Sequence, residues 1–170
     1  MSVLLVLSSG MTYPVIYSCE DVHESGFYTL KYRMWSLDVI CDADTLGGGW
    51  LVILTRFGRN VNFNKPWSML ANQGIGSPET EYILPLKFLH DYLPLETYEM
   101  LEEMNDQNKG DLWGLYSHFL IGSEEEKFKL QLAVYDPATP KIDDLSYNNN
   151  MKFTTYDQDN DPDARNCAVD

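Results

Sequence analysis

From Asp157 to Asp163 every second residue is an aspartate, in a run, Asp-Gln-Asp-Asn-Asp-Pro-Asp, that continues through Ala-Arg-Asn to Cys167. In a strand, alternate residues share one face, so these carboxylates would be lined up against one another or against the core, where an unpaired charge is costly to bury. The segment therefore has to be a loop. Two settings suit such a loop. One is a solvated Asp/Asn/Pro turn; the other is a wrap around a hard cation, and oxygen-only ligation with no nearby His points to calcium rather than zinc or copper. The EF-hand arrangement does not fit. Counted from Asp157, Pro162 stands where a Gly is needed and Ala168 where a bidentate Glu is needed, so a cation held here needs a loop of another type.

The rest of the chain sets the frame for that loop. Its 170 residues suit one domain with its own core, and a hydrophobic fraction of 44% with 13% aromatic residues is that of a folded globule. A net charge of -14 repels phosphate backbones and anionic membrane surfaces, so nucleic acid is not an expected partner. No apolar run reaches the length of a membrane span, and no internal repeat is visible. At the N-terminus, Val3 to Leu7 followed by Ser8-Ser9-Gly10 resembles a signal sequence but lacks a basic leader and has a short apolar core; a first strand, or a start codon placed late, accounts for it equally well. There is no Asn-x-Ser/Thr acceptor for N-glycosylation.

Three cysteines, Cys19, Cys41 and Cys167, show no CxxC or Cys/His spacing for zinc. Cys19 and Cys41 could close a loop worth about 3 kcal/mol in the chain-entropy description, leaving Cys167 over; three buried, reduced thiols are the alternative. Phe27 to Leu30 and Leu37 to Cys41 read as short strands. Gly47-Gly48-Gly49 reads as a flexible turn into the apolar run Trp50 to Leu54, which suits a buried strand. The Gly run lacks the grammar of a phosphate loop. Leu86 to Leu93, bracketed by Pro85 and Pro94, carries apolar residues at helical spacing and predicts two turns of helix. Phe128 to Tyr135 alternates as a half-buried strand. Glu96 to Asn105 is helical by propensity, yet its setting also allows a strand.

Catalytic signatures are not found. His23, His90 and His118 are far apart, no GxSxG elbow occurs, and Glu102 and Glu103 are neighbours that a strand would send to opposite faces. Trp35, Trp50, Trp67 and Trp113 are expected in the core, where aromatic area is best used. The chain is therefore expected not to be an enzyme.

The order ESGFYTL, LDVICDADTLGGGW, Trp67 with Gly74-Ile-Gly76, then LSYNNNMKFTTYDQDND and NCA resembles the fibrinogen C-terminal domain, the family of fibrinogen chains, ficolins, tachylectins, angiopoietins and tenascins. The likeness runs from about Cys19 to Cys167. It implies an α+β fold, mainly antiparallel β-sheet with short helices and a loop-rich, calcium-binding C-terminal part. Residues 1–18 would be an N-terminal segment and residues 19–170 a partial domain. It implies a Cys19–Cys41 disulfide, an unpaired Cys167, and Glu96 to Asn105 as strand. For Ca2+ it implies side-chain ligands from Asp159 and Asp161 and backbone carbonyls from Asp163 and Arg165, with Asp157 and Asn160 shaping the loop. Departures are a shortened stretch between Cys19 and Ser25-Gly26, no Gly-rich turn between Tyr135 and Asp144, Pro85 in place of a Gly, and Asn150 in place of a Gly, which Asn tolerates in a left-handed backbone better than most residues.

Relatives continue past the position of Asp170, so the partner of Cys167, the walls of the acetyl-group pocket and a last strand are expected beyond it, with no ligand pocket among these residues. An open sheet edge of that kind favours pairing into homo-oligomers. The resemblance implies a secreted, extracellular recognition module of the lectin-like, innate-immune type that binds acetylated glycans. The alternative is a module of the angiopoietin or tenascin kind that binds a cell-surface or matrix protein. Neither inserts into a membrane.

Overall fold

The computed structural model describes residues 12–58, 60–108, 110–139, 143 and 145–169. The N-terminal run Val3 to Leu7 lies outside them. The first sheet has four strands, β1 (Val15–Ile16), β2 (Gly26–Tyr32), β3 (Trp35–Asp42) and β4 (Trp50–Val52), side by side in chain order. β1 lies parallel to β2, and the other pairs are antiparallel. In β3, Val39 and Cys41 point inward while Ser36 and Asp38 face solvent, the alternation a half-buried strand requires. Both expected strands are thus present, each somewhat longer than its apolar core. Cys19 and Cys41 are joined in a disulfide with Cα atoms 5.4 Å apart. It ties the turn before β2 to the end of β3. In the glycine run, Gly47, Gly48 and Gly49 have φ of 100°, 81° and 83°, and a side chain on Gly48 would run into the backbone of Ala43.

The run Trp50 to Leu54 does not form one strand. Ile53 leaves the ladder with β3, its carbonyl accepts from the Leu84 N–H at 3.0 Å, and the chain re-enters a second sheet as β5 (Leu54–Thr55). That sheet also contains β6 (Ile75–Gly76) and β7 (Tyr82–Ile83), with β7 in the middle. Leu54, expected to be buried, is 50% exposed. A continuous apolar run does not distinguish a strand that stays in its sheet from one that changes partner.

Two short helices pack on these sheets, α1 (Trp67–Asn72) after Pro66 and α2 (Leu86–Tyr92) after Pro85. A proline just before the first turn suits a helix start, where its missing N–H is no loss. α2 buries Leu86, Phe88, Leu89 and Tyr92 on one face, as its spacing predicts. Tyr32 stands edge-on to Tyr92 and Trp35 edge-on to Phe88, at 5.2 and 5.8 Å between centroids. The Trp35 indole N–H donates to Asp91 at 3.0 Å, fixing α2 on the β2–β3 hairpin.

β8 (Met100–Asp106) and β9 (Gly110–Tyr116) form an antiparallel hairpin. The contested Glu96 to Asn105 segment is therefore strand from Met100 onward. β10 (Phe119–Ile121) pairs with β11 (Leu130–Leu132). The strand expected over Phe128 to Tyr135 starts late, because Lys127 and Phe128 adopt φ of 61° and 47° and turn the chain before the ladder begins; past Leu132 it continues only as a bridge between Tyr135 and Tyr116. Of the four tryptophans only Trp67 is buried; Trp35, Trp50 and Trp113 are half-buried. No helix among the described residues is long and apolar enough to cross a membrane.

Candidate cation loop

The approach to the aspartate run is fixed before the run begins. The Asn149 side chain donates to the Leu132 carbonyl at 2.9 Å and accepts from the Leu132 N–H at 3.0 Å, so the segment lies along β11. Asn150 has φ of 67°, a left-handed conformation that Asn tolerates better than most residues. Phe153 then packs on Trp67, with centroids 6.1 Å apart. Thr155 and Gln158 exchange backbone hydrogen bonds of 3.0 and 3.1 Å across a tight turn. The Asn160 amide donates to the Phe153 carbonyl at 2.8 Å, and that of Asn166 to the Thr155 carbonyl at 3.0 Å.

Within this frame the aspartates repeat one local pattern. The Asp159 carboxylate accepts from the N–H of Asp161 at 3.3 Å, Asp161 from Asp163 at 2.9 Å, and Asp163 from Arg165 at 3.0 Å. Asp and Asn side chains readily bond the backbone two residues on, so the alternation itself builds the curve. The second oxygen of Asp161 accepts from the Cys167 N–H at 2.9 Å and closes the turn. That bond above all holds the Asp161 carboxyl below the usual carboxylate range. Asp159, Asp163 and Arg165 are exposed and Asp161 is half-buried. Cys167 is an exposed free thiol. The slight desolvation its loop imposes, followed by the Asp161 carboxylate, pushes it above the usual thiol range.

The four residues singled out for a cation, Asp159, Asp161, Asp163 and Arg165, are thus brought into one turn. The donor chemistry fits calcium: hard oxygens only, on carboxylates whose oxygens each keep a lone pair beyond the N–H they accept from. Among the described residues no three His, Cys, Asp or Glu side chains converge as a metal cluster. A set of two carboxylates and two carbonyls does not need one.

Asp157 behaves differently from its neighbours. Its carboxylate accepts from the N–H of Trp67 at 2.9 Å and from the Thr155 hydroxyl at 2.8 Å. The Trp67 N–H is the main reason its carboxyl sits below the usual range. The Trp67 indole N–H donates to Glu124 at 3.0 Å, and Glu124 pairs with Lys87 of α2 at 2.7 Å. Sequence reasoning missed Trp67, Thr155 and Glu124 as partners of the loop. Asp157 and Trp67 are 90 residues apart, and nothing local in either segment signals the other. Beside the loop lies an open cleft of about 1000 Å³, walled by Leu54, Leu70, Ile83, Phe153 and Val169, with Arg56 at its edge.

A set of small antiparallel sheets with two short helices, ending in an aspartate-rich loop, defines a fibrinogen-like globular domain. Residues 17–170 match the family of fibrinogen beta and gamma chains, C-terminal globular domain, and the chain belongs to that family. It is 35% identical to mouse tenascin-N over 85% of its own length and 9% of that protein's. It is 36% identical to human ficolin-3 over 79% of its length and 44% of that protein's. Among solved structures, the fibrinogen-like globe domain of human ANGPTL6 matches with a TM-score of 0.84 at 30% identity, over 94% of this chain and 74% of that one. The chain thus spans less than half the length of these curated relatives.

Proposed function

We propose that this chain is an extracellular recognition domain whose Asp157–Cys167 loop binds Ca2+. Asp159 and Asp161 supply side-chain oxygens and Asp163 and Arg165 supply carbonyls. The observation that carries the reading is the set of nested Asp turns closed by Asp161 on Cys167, in a chain that belongs to the fibrinogen family. Bound calcium supplies a fixed positive charge that offsets the carboxylates and cross-links the two limbs of the loop; an affinity in the weak range of extracellular modules goes with this role. The Cys19–Cys41 disulfide supports an oxidising, extracellular setting, and secretion is part of the proposal. The role is binding rather than catalysis.

For the ligand we favour acetylated glycans, in the lectin-like manner of the ficolin branch, with the likeness to ficolin-3 as support. Retention of the full-length protein on acetylated resin in calcium, with release by a chelator, is the expected outcome. Absence of calcium-dependent retention contradicts it. Likeness to tenascin-N and to the ANGPTL6 globe favours the second reading, a matrix or cell-surface protein as ligand. Saturable binding to such a protein with no glycan retention is its signature. Assembly into a homo-oligomer, which would add avidity to weak single sites, belongs to either reading.

A further inference from the structure

Among the four alternating aspartates, Asp159, Asp161 and Asp163 spend their hydrogen bonds inside the loop, while Asp157 alone reaches an element distant in sequence. Both of its partners, the Trp67 N–H and the Thr155 hydroxyl, converge on the same oxygen, Oδ1. Oδ1 thus has no lone pair left for a metal, and its two bonds hold the whole carboxylate, Oδ2 included, toward Trp67 and Thr155. The Trp67 N–H opens α1, where a helix cannot satisfy its own first amides, so the carboxylate also completes that turn. The ring of Trp67 packs on Phe128 and Phe153, at 5.2 and 6.1 Å, and its indole N–H continues through Glu124 to Lys87 on α2. One side chain therefore joins the loop, α1, α2 and the turn before β11.

We propose that Asp157 is a positioning residue for the cation loop: it does not ligate the ion but anchors the loop on Trp67, so that calcium binding and the packing of α1 are coupled. This rests on the calcium reading above and adds to it a route by which the ion stabilises the helices. The coupling is reciprocal, as any binding linkage must be. Residues that orient metal ligands from the next layer out typically change affinity about 10-fold or more when removed.

The test compares Asp157→Ala with Asp157→Asn by calcium titration calorimetry, together with amide hydrogen exchange of the unaltered protein with and without calcium. Asparagine keeps an Oδ1 that can accept from Trp67 and Thr155 but loses the charge. The proposal expects about 10-fold weaker calcium binding in Asp157→Ala, most of it recovered in Asp157→Asn, and slower exchange at the Trp67 amide when calcium is added to the unaltered protein. If Asp157→Asn is as impaired as Asp157→Ala, Asp157 acts through charge or as a ligand, and the proposal is overturned. It is also overturned if Asp157→Ala binds calcium as the unaltered protein does, or if the Trp67 amide ignores calcium that the protein demonstrably binds. The exchange measurement decides the matter should Asp157→Ala not fold. No calcium binding by the unaltered protein overturns the calcium reading itself, a result distinct from the others.

Discussion

Glu81 is buried, 2% exposed, and its carboxylate accepts from three backbone amides, those of Phe57 and Gly58 at 3.0 and 2.8 Å and that of Val61 at 3.2 Å. The Gly58 N–H leads the interactions that hold its carboxyl below the usual range of 4.5. A carboxyl lowered in the folded state stabilises it above the unfolded value, and that contribution fades as the pH falls through the folded one. Glu81→Gln, which keeps one acceptor oxygen but turns an amide donor toward the N–H on the other side, should lower the melting temperature by several degrees at neutral pH. The gap to the unaltered protein should narrow as the pH falls below about 4.5; a gap that stays constant in calorimetric scans contradicts this role. Residues of this kind are illegible in sequence. A glutamate in Glu79-Thr-Glu-Tyr82 reads as solvated surface, and the amides it serves lie in a segment that carries no mark of it. The aspartate run was legible as a loop for the opposite reason: an aspartate bonding the amide two residues on is local chemistry, and the alternation displays it directly.

At the scale of elements, what could be read depended on how far each element's partner lies. α2 was readable because Pro85, Pro94 and the apolar spacing are all local. The cores of β2 and β3 were readable as strands because their apolar residues are local in sequence; that they pair as a hairpin is what the structure adds. The change of sheet at Ile53 was not, since it is decided by Leu84, and the truncation of Phe128 to Tyr135 follows from left-handed residues that are not glycine. Glycine has a specific task where β6 meets β7. Gly76 has φ of 72°, and a side chain there would run into the Glu81 carbonyl just before the paired strand. Gly110, at the start of β9, has a similar φ of 76° but open space around it. Gly110→Ala should cost only the backbone penalty, about 1–2 kcal/mol, and Gly76→Ala clearly more. Equal losses in denaturant unfolding would show that the close β6–β7 approach is not what Gly76 serves.

For the whole molecule, a chain with net charge of -14 places four of its carboxylates within seven residues of one loop, a local repulsion that the proposed cation would offset. The family was legible because its motifs are spread along the chain at fixed order. The ligand was not, because recognition depends on surfaces assembled from distant segments. On the proposed function, the Asp157–Cys167 loop is a calcium seat that stabilises the fold. Thermal melts of the unaltered protein and of an Asp159→Asn/Asp161→Asn variant, with and without calcium, test it most directly. A dissociation constant of about 0.1–1 mM, typical of extracellular modules, gives about 1.4–2.7 kcal/mol of stabilisation at about 10 mM calcium, so the unaltered protein should melt measurably higher with calcium and the variant should not respond. A melting temperature indifferent to calcium, or a variant that gains as much as the unaltered protein, contradicts the claim.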